Sequence, residues 1–288
     1  MTLVAIWKPE TGAIQLTADS RLSFGSAGTA DVGGKLALLP IQMFDATPEG
    51  EEFPPLLLSR MYGIAVFGSA VSAHKVLELL RVVFAGIQVA PGLSHFSLAD
   101  AADVALSALE SVVVPIAAVM ERTGLAGLVL VGFCPVVHAQ QAFLVSVDET
   151  MQGSVEQLTL SAKPLFFGTP SAVDAANAMA GEKHPLTPHR ILRRICEDGS
   201  HKLVGGTVQY GAVVGTDFAI FGSRDYEIDE DAENADVIRV RYFASGVALS
   251  RVSKVIDSKG IVPRYKYVSL FEGDIMNLER KGYRVEYE

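Results

Sequence analysis

The first twenty residues consist of two apolar runs separated by a short polar turn. Residues 3–8 and 13–18 are largely apolar or β-branched, and Pro9 and Gly12 supply turn residues between them. Two such runs joined by a short turn predict a β-hairpin. Because both runs carry few charges, we expect both strands to be buried.

The apolar pattern weakens after the hairpin. Residues 22–34 are small, polar and rich in glycine, which predicts a turn and loop, and residues 35–39 predict a short strand. Prolines and acidic side chains dominate residues 40–55, a composition that buries too little apolar surface to order itself. We therefore expect an exposed loop there, as part of an insertion of about residues 40–59.

Helical and strand-like patterns alternate over the following part of the chain. Apolar residues at helical spacing predict four helices, and continuous apolar runs predict strands. The predicted helices are residues 70–88, 98–122, 171–180 and 188–197, and the predicted strands are 62–67, 127–133, 141–147, 157–161, 165–167, 207–214 and 218–221. Strands, two helices, strands, two helices and strands are the order that two antiparallel sheets between two helical layers require. The sequence thus predicts an α+β fold, a four-layer αββα sandwich.

The texture of the sequence changes after residue 221. We expect residues 1–221 to form the main domain and residues 222–288 a β-rich C-terminal extension, packed on the same domain or on a neighbouring subunit. Residues 225–236 are strongly acidic, which predicts a solvated loop. Three further strands are predicted at residues 237–247, 265–270 and 283–287.

Composition and charge limit the classes of function. The 288 residues are 49% hydrophobic and 20% charged, enough for one large domain or two small ones. A net charge of −9 without a lysine or arginine cluster argues against a nucleic-acid partner. The two cysteines, Cys134 and Cys196, fit neither a metal-ligand spacing nor a disulfide framework. We expect no metal and no cofactor.

We also expect a cytoplasmic protein that makes no membrane contact. The N-terminus lacks the charged and apolar regions of a secretion signal, since Lys8, Pro9 and Glu10 interrupt the first apolar run. Residues 123–141 form the longest uncharged apolar stretch, but they include a proline and several glycines. This stretch predicts a buried strand and a turn rather than a transmembrane helix.

Thr2 is the first candidate for chemistry. Removal of Met1 would leave a threonine whose hydroxyl and free α-amine are attached to neighbouring carbon atoms. Because an α-amine has a pKa of about 7.7 to 8.0, its neutral fraction can accept the hydroxyl proton near neutral pH. Most threonines that follow an initiator methionine are inert, so this candidate depends on its surroundings.

Charged residues lie where the hairpin can bring them toward Thr2. Asp19 ends the second predicted strand, Arg21 follows it, and Lys35 begins the next strand. A lysine ammonium near the threonine hydroxyl would stabilise its deprotonated form, and a carboxylate would hold that lysine charged and oriented. The alternative is an ordinary ion pair at strand ends, which contributes little at a surface.

A glycine at the end of an apolar strand is a candidate oxyanion donor. Gly68 follows the apolar run at residues 64–67, and Ser69 opens a predicted helix, so backbone N–H groups lie at a helix N-terminus. Such N–H groups stabilise the oxyanion that forms during acyl transfer. A tight turn between strand and helix explains the same residues equally well.

These motifs together resemble the proteasome β-subunit family of N-terminal nucleophile hydrolases, including its bacterial homologues. The resemblance covers roughly residues 2–221 and is most specific in the first 40 residues. It rests on Thr2 at the start of a strand, Ala-Asp-Ser-Arg at 18–21, Lys35, Phe-Gly-Ser-Ala at 67–70 and Phe-Gly-Thr-Pro-Ser at 167–171. The resemblance implies the same αββα fold that the order of the elements predicts.

The resemblance also implies a role for each matching residue. Thr2 would be the nucleophile, Asp19 and Lys35 its charge partners, and the Gly68 N–H the oxyanion donor. Thr169 falls where the family usually has a serine close to the amine of the nucleophile. Three other residues of these motifs would contribute to binding: Arg21, Ser69 and Ser171.

Three positions depart from the family pattern. Pro170 replaces a usual glycine, Val204 replaces the serine of a Ser-Gly-Gly motif, and His201 replaces an aspartate. The groups that support the amine are therefore absent, unless Asp198 or Ser200 takes their place. His201 is either a substitute proton carrier or an ordinary solvated or hydrogen-bonded histidine.

Two functions are consistent with these residues. In the first, the chain is an N-terminal threonine amidohydrolase, a self-compartmentalising peptidase that acts on peptides or proteins once Met1 is removed. In the second, it is a catalytically inactive structural or binding subunit of the same fold, as His201 and Val204 suggest. The resemblance implies a homo-oligomer and leaves open whether an ATPase partner exists.

Overall fold

A computed structural model describes residues 2–10, 12–23, 28–45, 54–90, 96–182 and 186–228, and four short stretches of strand after them. The strands are β1 (Leu3–Trp7), β2 (Gln15–Asp19), β3 (Leu22–Ser23), β4 (Thr29–Ala30), β5 (Leu36–Phe44), β6 (Leu56–Gly68), β7 (Ile87–Gln88), β8 (Ala126–Cys134), β9 (Ala139–Val147), β10 (Gly153–Gln157), β11 (Leu165–Gly168), β12 (Val208–Val214), β13 (Asp217–Ile228), β14 (Val237–Ala244), β15 (Val247–Ala248), β16 (Tyr267–Ser269) and β17 (Arg284–Tyr287). The helices are α1 (Ala70–Phe84), α2 (Leu98–Met120), α3 (Pro170–Ala180) and α4 (Pro188–Asp198). The predicted mixed class, with sheets and four helices in the described part of the chain, is confirmed.

Two large sheets contain most of the strands. In the first sheet the strand order is β11-β1-β2-β12-β13-β14-β15, with β16 beside β13 and β17 beside β14. In the second it is β10-β9-β8-β6-β5-β7. The predicted hairpin is confirmed, since β1 and β2 pair antiparallel with Val4 opposite Ala18. On its other side β1 pairs with β11, where Leu3 lies opposite Gly168.

Local sequence explains where the helices begin. At the start of α2 the Ser97 hydroxyl accepts from the Asp100 N–H, and the Asp100 carboxylate accepts from the Ser97 N–H, a capping box. Helices α3 and α4 each begin with a proline, Pro170 and Pro188, at a position where the missing N–H would have no partner within the helix.

Three clusters of buried side chains hold these elements together. One lies between α1, α2 and the second sheet and includes Leu80, Phe84 and Leu109. Another joins side chains of both sheets, among them Val4 and Val129. The last lies between α3, α4 and the first sheet. Each helix pair is therefore attached to one sheet.

Helix α2 is apolar over most of its length. Together with the turn that follows it, Leu98–Gly124 is long and apolar enough to cross a membrane by length and composition alone. In the structure this helix contacts α1 and strands β8, β9 and β10, and its buried residues recur at helical spacing. Since the core helix of a soluble protein has the same composition, this feature is weak evidence for a membrane span.

The loop predicted over residues 40–55 is wrong at its beginning. Strand β5 continues through Pro40 to Phe44, and Pro40 lies opposite Met61 of β6. On its other side β5 pairs with β7 only at Met43 and Phe44, within the described residues. Pro40 thus lies at an open edge, where proline is tolerated because its missing N–H breaks no ladder bond. Residues 46–53 lie outside the described part.

The strand predicted at residues 157–161 is also misplaced. A turn at Asp148, whose carboxylate accepts from the N–H groups of Thr150 and Gln152, reverses the chain immediately after β9. Strand β10 therefore begins at Gly153, which lies opposite Val147. Only its last residue belongs to the predicted strand.

The acidic segment begins differently from the prediction. Residues 225–228, predicted as solvated loop, continue β13 and pair with residues 238–241 of β14, so that part of the prediction is wrong. Residues 229–236 lie outside the described part. The division after residue 221 falls inside β13 and stays a prediction.

Candidate functional site

Thr2 immediately precedes β1 and lines a pocket with residues from the end of β6, the start of α1 and the segment after β2. The pocket opens to solvent, and Thr2 itself is only 3% exposed. Its lining residues are Thr2, Arg21, Leu22, Lys35, Val66, Phe67, Gly68, Ala70, Ala73 and His74. The structure therefore brings together four of the residues singled out from the sequence, namely Thr2, Arg21, Lys35 and Gly68.

Asp19 organises the polar side of this pocket from behind. Its Oδ1 accepts from the Lys35 ammonium at 2.7 Å and from the N–H of Leu3, the residue after Thr2, at 2.9 Å. Its Oδ2 accepts from the N–H groups of Arg21 at 3.2 Å and Gly205 at 3.1 Å. Asp19 is fully buried. One carboxylate thus fixes both the lysine and the start of β1.

The ion pair of Asp19 and Lys35 is a buried one, unlike the surface pair that was the alternative. The two side chains are 0% and 5% exposed. Burial lowers the pKa of Lys35, while the charge of Asp19 and its hydrogen bond act in the opposite direction. A lysine with a lowered pKa exchanges protons more readily near neutral pH than a solvated one.

Arg21 forms a second ion pair at the edge of the pocket. Its guanidinium meets the Asp31 carboxylate at two points, Nε to Oδ1 at 2.7 Å and Nη2 to Oδ2 at 2.9 Å. The hydrogen bond from Arg21 lowers the pKa of Asp31. The remaining Nη1 donates to the carbonyl oxygens of Lys202 and Val204 at 3.4 Å. Arg21 therefore connects the loop at residue 31 to the turn before β12.

Gly68 ends β6 at the pocket, whereas the next amide is already occupied. The backbone of Gly68 has φ +92°, and a Cβ there would overlap the carbonyl of Leu125, so only glycine fits. The Ser69 N–H donates to the Leu125 carbonyl at 2.7 Å. Ser69 is consequently not a free donor, and it does not line the pocket.

Thr169 lies beside Thr2 at the backbone. The Thr169 N–H donates to the Thr2 carbonyl at 2.8 Å, and a Cβ at Gly168 would overlap that same carbonyl. The Thr169 hydroxyl oxygen is buried and has no hydrogen-bond partner among the described residues. An unpaired buried hydroxyl costs about 1–3 kcal/mol, which calls for an explanation.

The remaining predicted residues lie further from the pocket. Ser171 is exposed, and its hydroxyl lies 3.3 Å from Nδ1 of His201. Asp198 and Ser200 are hydrogen-bonded to each other on the exposed end of α4. Val204 is fully buried in the cluster under α3 and α4. The structure therefore gives Thr2 no polar side chain from these five positions.

Sequence reasoning missed several residues of the site. Ala73 and His74 reach the pocket beside Ala70 of the Phe-Gly-Ser-Ala motif, because residues three and four apart share one face of α1. Helical spacing was therefore a signal that could have found them. Asp31 belongs to a segment predicted only as a loop. Gln209 is buried in β12 beneath Lys35. A single glutamine in an apolar strand carries no signal for such a contact.

Comparison with known proteins supports the fold. No protein-family model matches this chain, and no curated protein matches it. A solved structure of the Anbu (Gly-1) mutant from Hyphomicrobium sp. strain MC1 aligns with a TM-score of 0.51 and 11% identity over 92% of this chain and 100% of that chain. The helical assembly of the Anbu complex from Pseudomonas aeruginosa aligns with a TM-score of 0.50 and 14% identity over 92% of this chain and 98% of that chain.

A further alignment is weaker but concerns the same group of proteins. Anbu (ancestral beta-subunit) from Yersinia bercovieri has a TM-score of 0.48 and 13% identity over 75% of this chain and 82% of that chain. Identities this low establish a shared fold alone. The two alignments with TM-scores of 0.50 and 0.51 show that the chain shares the fold of the Anbu structures.

Proposed function

We propose that this chain is an N-terminal threonine amidohydrolase, a peptidase that becomes active when Met1 is removed. The observation that carries the proposal is the arrangement around Asp19. Its Oδ1 binds both the Lys35 ammonium and the N–H of Leu3, and Thr2 and Lys35 line one pocket. A nucleophile and a buried cation fixed by the same carboxylate are what activation of a hydroxyl needs.

The proposed reaction uses the chain's own groups. The Thr2 hydroxyl oxygen attacks the carbonyl carbon of a substrate amide, and the Thr2 α-amine accepts the hydroxyl proton. The Lys35 ammonium stabilises the oxygen as it loses that proton, and the Gly68 N–H stabilises the oxyanion of the tetrahedral intermediate. The α-amine then protonates the leaving amine, and water hydrolyses the acyl-enzyme ester to regenerate Thr2.

The lining of the pocket supports a substrate with an apolar side chain beside the scissile amide. Five of its lining residues are apolar: Leu22, Val66, Phe67, Ala70 and Ala73. His74 lies at the exposed face of α1, where it would meet the end of a longer side chain.

The unpaired hydroxyl of Thr169 supports the same proposal. A free α-ammonium or amine at Thr2 would supply the partner that this hydroxyl lacks among the described residues. Thr169 would then take the role of the family's serine near the amine. His201, hydrogen-bonded to Ser171, would not take part directly.

Mass spectrometry and active-site labelling test this function. We expect a mature chain that begins at Thr2 and that reacts covalently with an epoxyketone or a β-lactone. Thr2→Ala should abolish labelling, because it removes the attacking oxygen. Thr2→Ser keeps a hydroxyl and should still label. Labelling that persists in Thr2→Ala would refute the assignment of the nucleophile.

A non-catalytic subunit of the same fold is the second candidate. Val204 is apolar and fully buried where the family has a serine, and Asp198 and Ser200 bind each other instead of the amine. Met1 retained on protein from the native source, together with no labelling at Thr2, would establish this alternative.

The proposal includes an architecture and an assembly. The two sheets, each covered by a helix pair, support the four-layer αββα sandwich of N-terminal nucleophile hydrolases, with residues 222–288 as a C-terminal extension. An Anbu complex forms a helical assembly, and by likeness of fold we propose a cytoplasmic homo-oligomer here. Size-exclusion chromatography with light scattering tests this, and a monomer would contradict it.

A further inference from the structure

We propose that Gln209 is a positioning residue that holds Lys35 in register with Asp19 by clamping the backbone at the start of β5. The inference rests on the proposed function, because its consequence is the activity of Thr2. Gln209 belongs to none of the motifs that resemble the proteasome β-subunit family. It lies in β12, and its side chain reaches from the first sheet to the second.

The contacts of the Gln209 carboxamide define the clamp. Its Oε1 accepts from two consecutive N–H groups, those of Lys35 at 3.1 Å and Leu36 at 3.0 Å. Its Nε2 donates to the Gly33 carbonyl. These hydrogen bonds fix the backbone on both sides of the Lys35 Cα atom. Gln209 is 2% exposed, so water cannot easily replace them.

Gln209 is itself anchored beside Asp19. The Thr17 hydroxyl donates to the Gln209 carbonyl at 2.7 Å, and Thr17 is fully buried in β2. In the same pair of strands Val208 lies opposite Asp19. Asp19 and the clamp therefore belong to one rigid part of the first sheet, while Lys35 belongs to the second.

This geometry gives Gln209 a task that the ion pair cannot perform alone. A lysine side chain rotates about four bonds along its carbon chain, so its ammonium can reach the same carboxylate from several backbone positions. Together with the Val66 N–H, which donates to the Lys35 carbonyl at 3.0 Å, the clamp fixes the backbone of Lys35. Its ammonium can then contact Asp19 at the pocket that Lys35 shares with Thr2. A displacement of about 1 Å at a reacting group can reduce a rate on the order of 100-fold.

The test compares Gln209→Met with Gln140→Met in the full-length mature chain. Gln140 also accepts one backbone bond, from the Ile14 N–H at 2.9 Å, but that bond lies just before β2 and not at Lys35. We expect Gln209→Met to slow β-lactone labelling of Thr2 on the order of 100-fold and Gln140→Met to leave the rate unchanged.

The pH profile separates positioning from simple destabilisation. The charged and titratable groups that face Lys35 are Asp19 from β2, Asp31 from the loop before β5 and Cys196 from α4. If the ammonium loses contact with Asp19, its pKa falls further, because Asp19 raises it against burial. The alkaline limit of labelling should then move to lower pH in Gln209→Met. An unchanged profile, or equal rates in both methionine variants, would overturn the inference.

Amide hydrogen exchange keeps the inference distinct from the proposed function. The Lys35 and Leu36 amides should exchange faster in Gln209→Met than in Gln140→Met, whether or not Thr2 reacts. If the wild-type chain does not label but these amides respond as expected, the proposed function fails while the clamp stands. If the amides exchange equally in both variants, the clamp itself is wrong.

Discussion

The two sides of Thr2 differ in how completely their polar groups are paired. On the Asp19 side, both carboxylate oxygens accept hydrogen bonds from Lys35 and from three backbone amides. On the Thr169 side, a buried hydroxyl has no partner in the described part of the chain. On the Asp19 side, both carboxylate oxygens have hydrogen-bond partners, so we call this side complete. On the Thr169 side, the hydroxyl has none among the described residues, so we call this side incomplete.

This difference separates what the fold requires from what activation would add. A buried carboxylate without its partners would destabilise the fold, so the Asp19 side must be complete in an active or an inactive protein. An unpaired hydroxyl is tolerable only if something compensates for it. In the proposed function a free amine on Thr2 compensates for it, whereas an inactive subunit that keeps Met1 has no such amine. Whether the Thr169 hydroxyl has a partner therefore distinguishes the two candidate functions.

The largest effect on stability and labelling is expected when the buried ion pair of Asp19 and Lys35 is broken. Lys35→Met removes the cation and leaves the Asp19 carboxylate buried without a counter-charge. Removal of one partner from a buried ion pair costs about 3–5 kcal/mol, so we expect that loss in the free energy of unfolding, measured in denaturant. Labelling of Thr2 should also fall below detection, since the hydroxyl loses its stabilising charge.

An exposed lysine provides the control for this variant. Lys75 pairs with Glu78 at 3.1 Å on the surface of α1, and both side chains are more than half exposed. Lys75→Met should change the free energy of unfolding by less than about 1 kcal/mol. Similar losses in the two variants would mean that burial of the Asp19 pair is not what distinguishes it.

A smaller effect is expected when the unpaired hydroxyl of Thr169 is removed. Thr169→Val removes the unpaired hydroxyl while preserving the shape of the side chain. If Thr2 has a free amine, the variant loses a hydrogen bond to a charged group, about 1.5–3 kcal/mol, and labelling should slow by about 10- to 150-fold. If Met1 is retained, removal of an unpaired buried oxygen should leave the protein equally stable or more stable. Thermal unfolding and labelling rates distinguish these outcomes.

Thr187 offers a matched control at the other helix. Like Thr169, it precedes a proline at the start of a helix and makes no side-chain cap. Its hydroxyl lies 3.2 Å from Nε2 of His189, away from the pocket. Thr187→Val should not alter labelling of Thr2, and an equal slowing in both variants would contradict a specific role for Thr169.

The sequence predicted the complete side better than the incomplete one. Asp19 and Lys35 are charged residues at strand ends, and charge in a buried setting is conspicuous in a sequence. Thr169 became informative only when its surroundings showed that nothing binds its hydroxyl. The role of Gln209 could not be predicted, because its side chain binds backbone groups far away in the sequence, and no local pattern indicates such contacts.

The errors in the fold prediction have a common physical origin. Pro40 and the acids after residue 225 are breaking signals in isolation, yet both segments are paired in the structure. Pairing with a long partner strand satisfies the backbone and overrides local propensity. Helix α2, whose ends and buried face follow from spacing and capping, was predicted almost to its boundaries.

The smallest effect is expected from Asp31→Asn, at the mouth of the pocket. The Asp31 side chain is 42% exposed, so its pair with Arg21 is screened by solvent and should contribute no more than about 1 kcal/mol. Since Arg21 lowers the pKa of Asp31, this stabilisation is present above the unfolded pKa and is lost as the pH falls through the folded one. The difference in stability between wild type and variant should therefore shrink in acid. Labelling should slow by no more than about fivefold, because the Arg21 guanidinium keeps its contacts with the carbonyls of Lys202 and Val204.

Glu78→Gln provides the control for this variant, because it breaks the exposed pair on α1 and should leave the labelling rate unchanged. If Asp31→Asn slowed labelling as much as Lys35→Met does, the mouth of the pocket, and not the buried ion pair, would control the reactivity of Thr2.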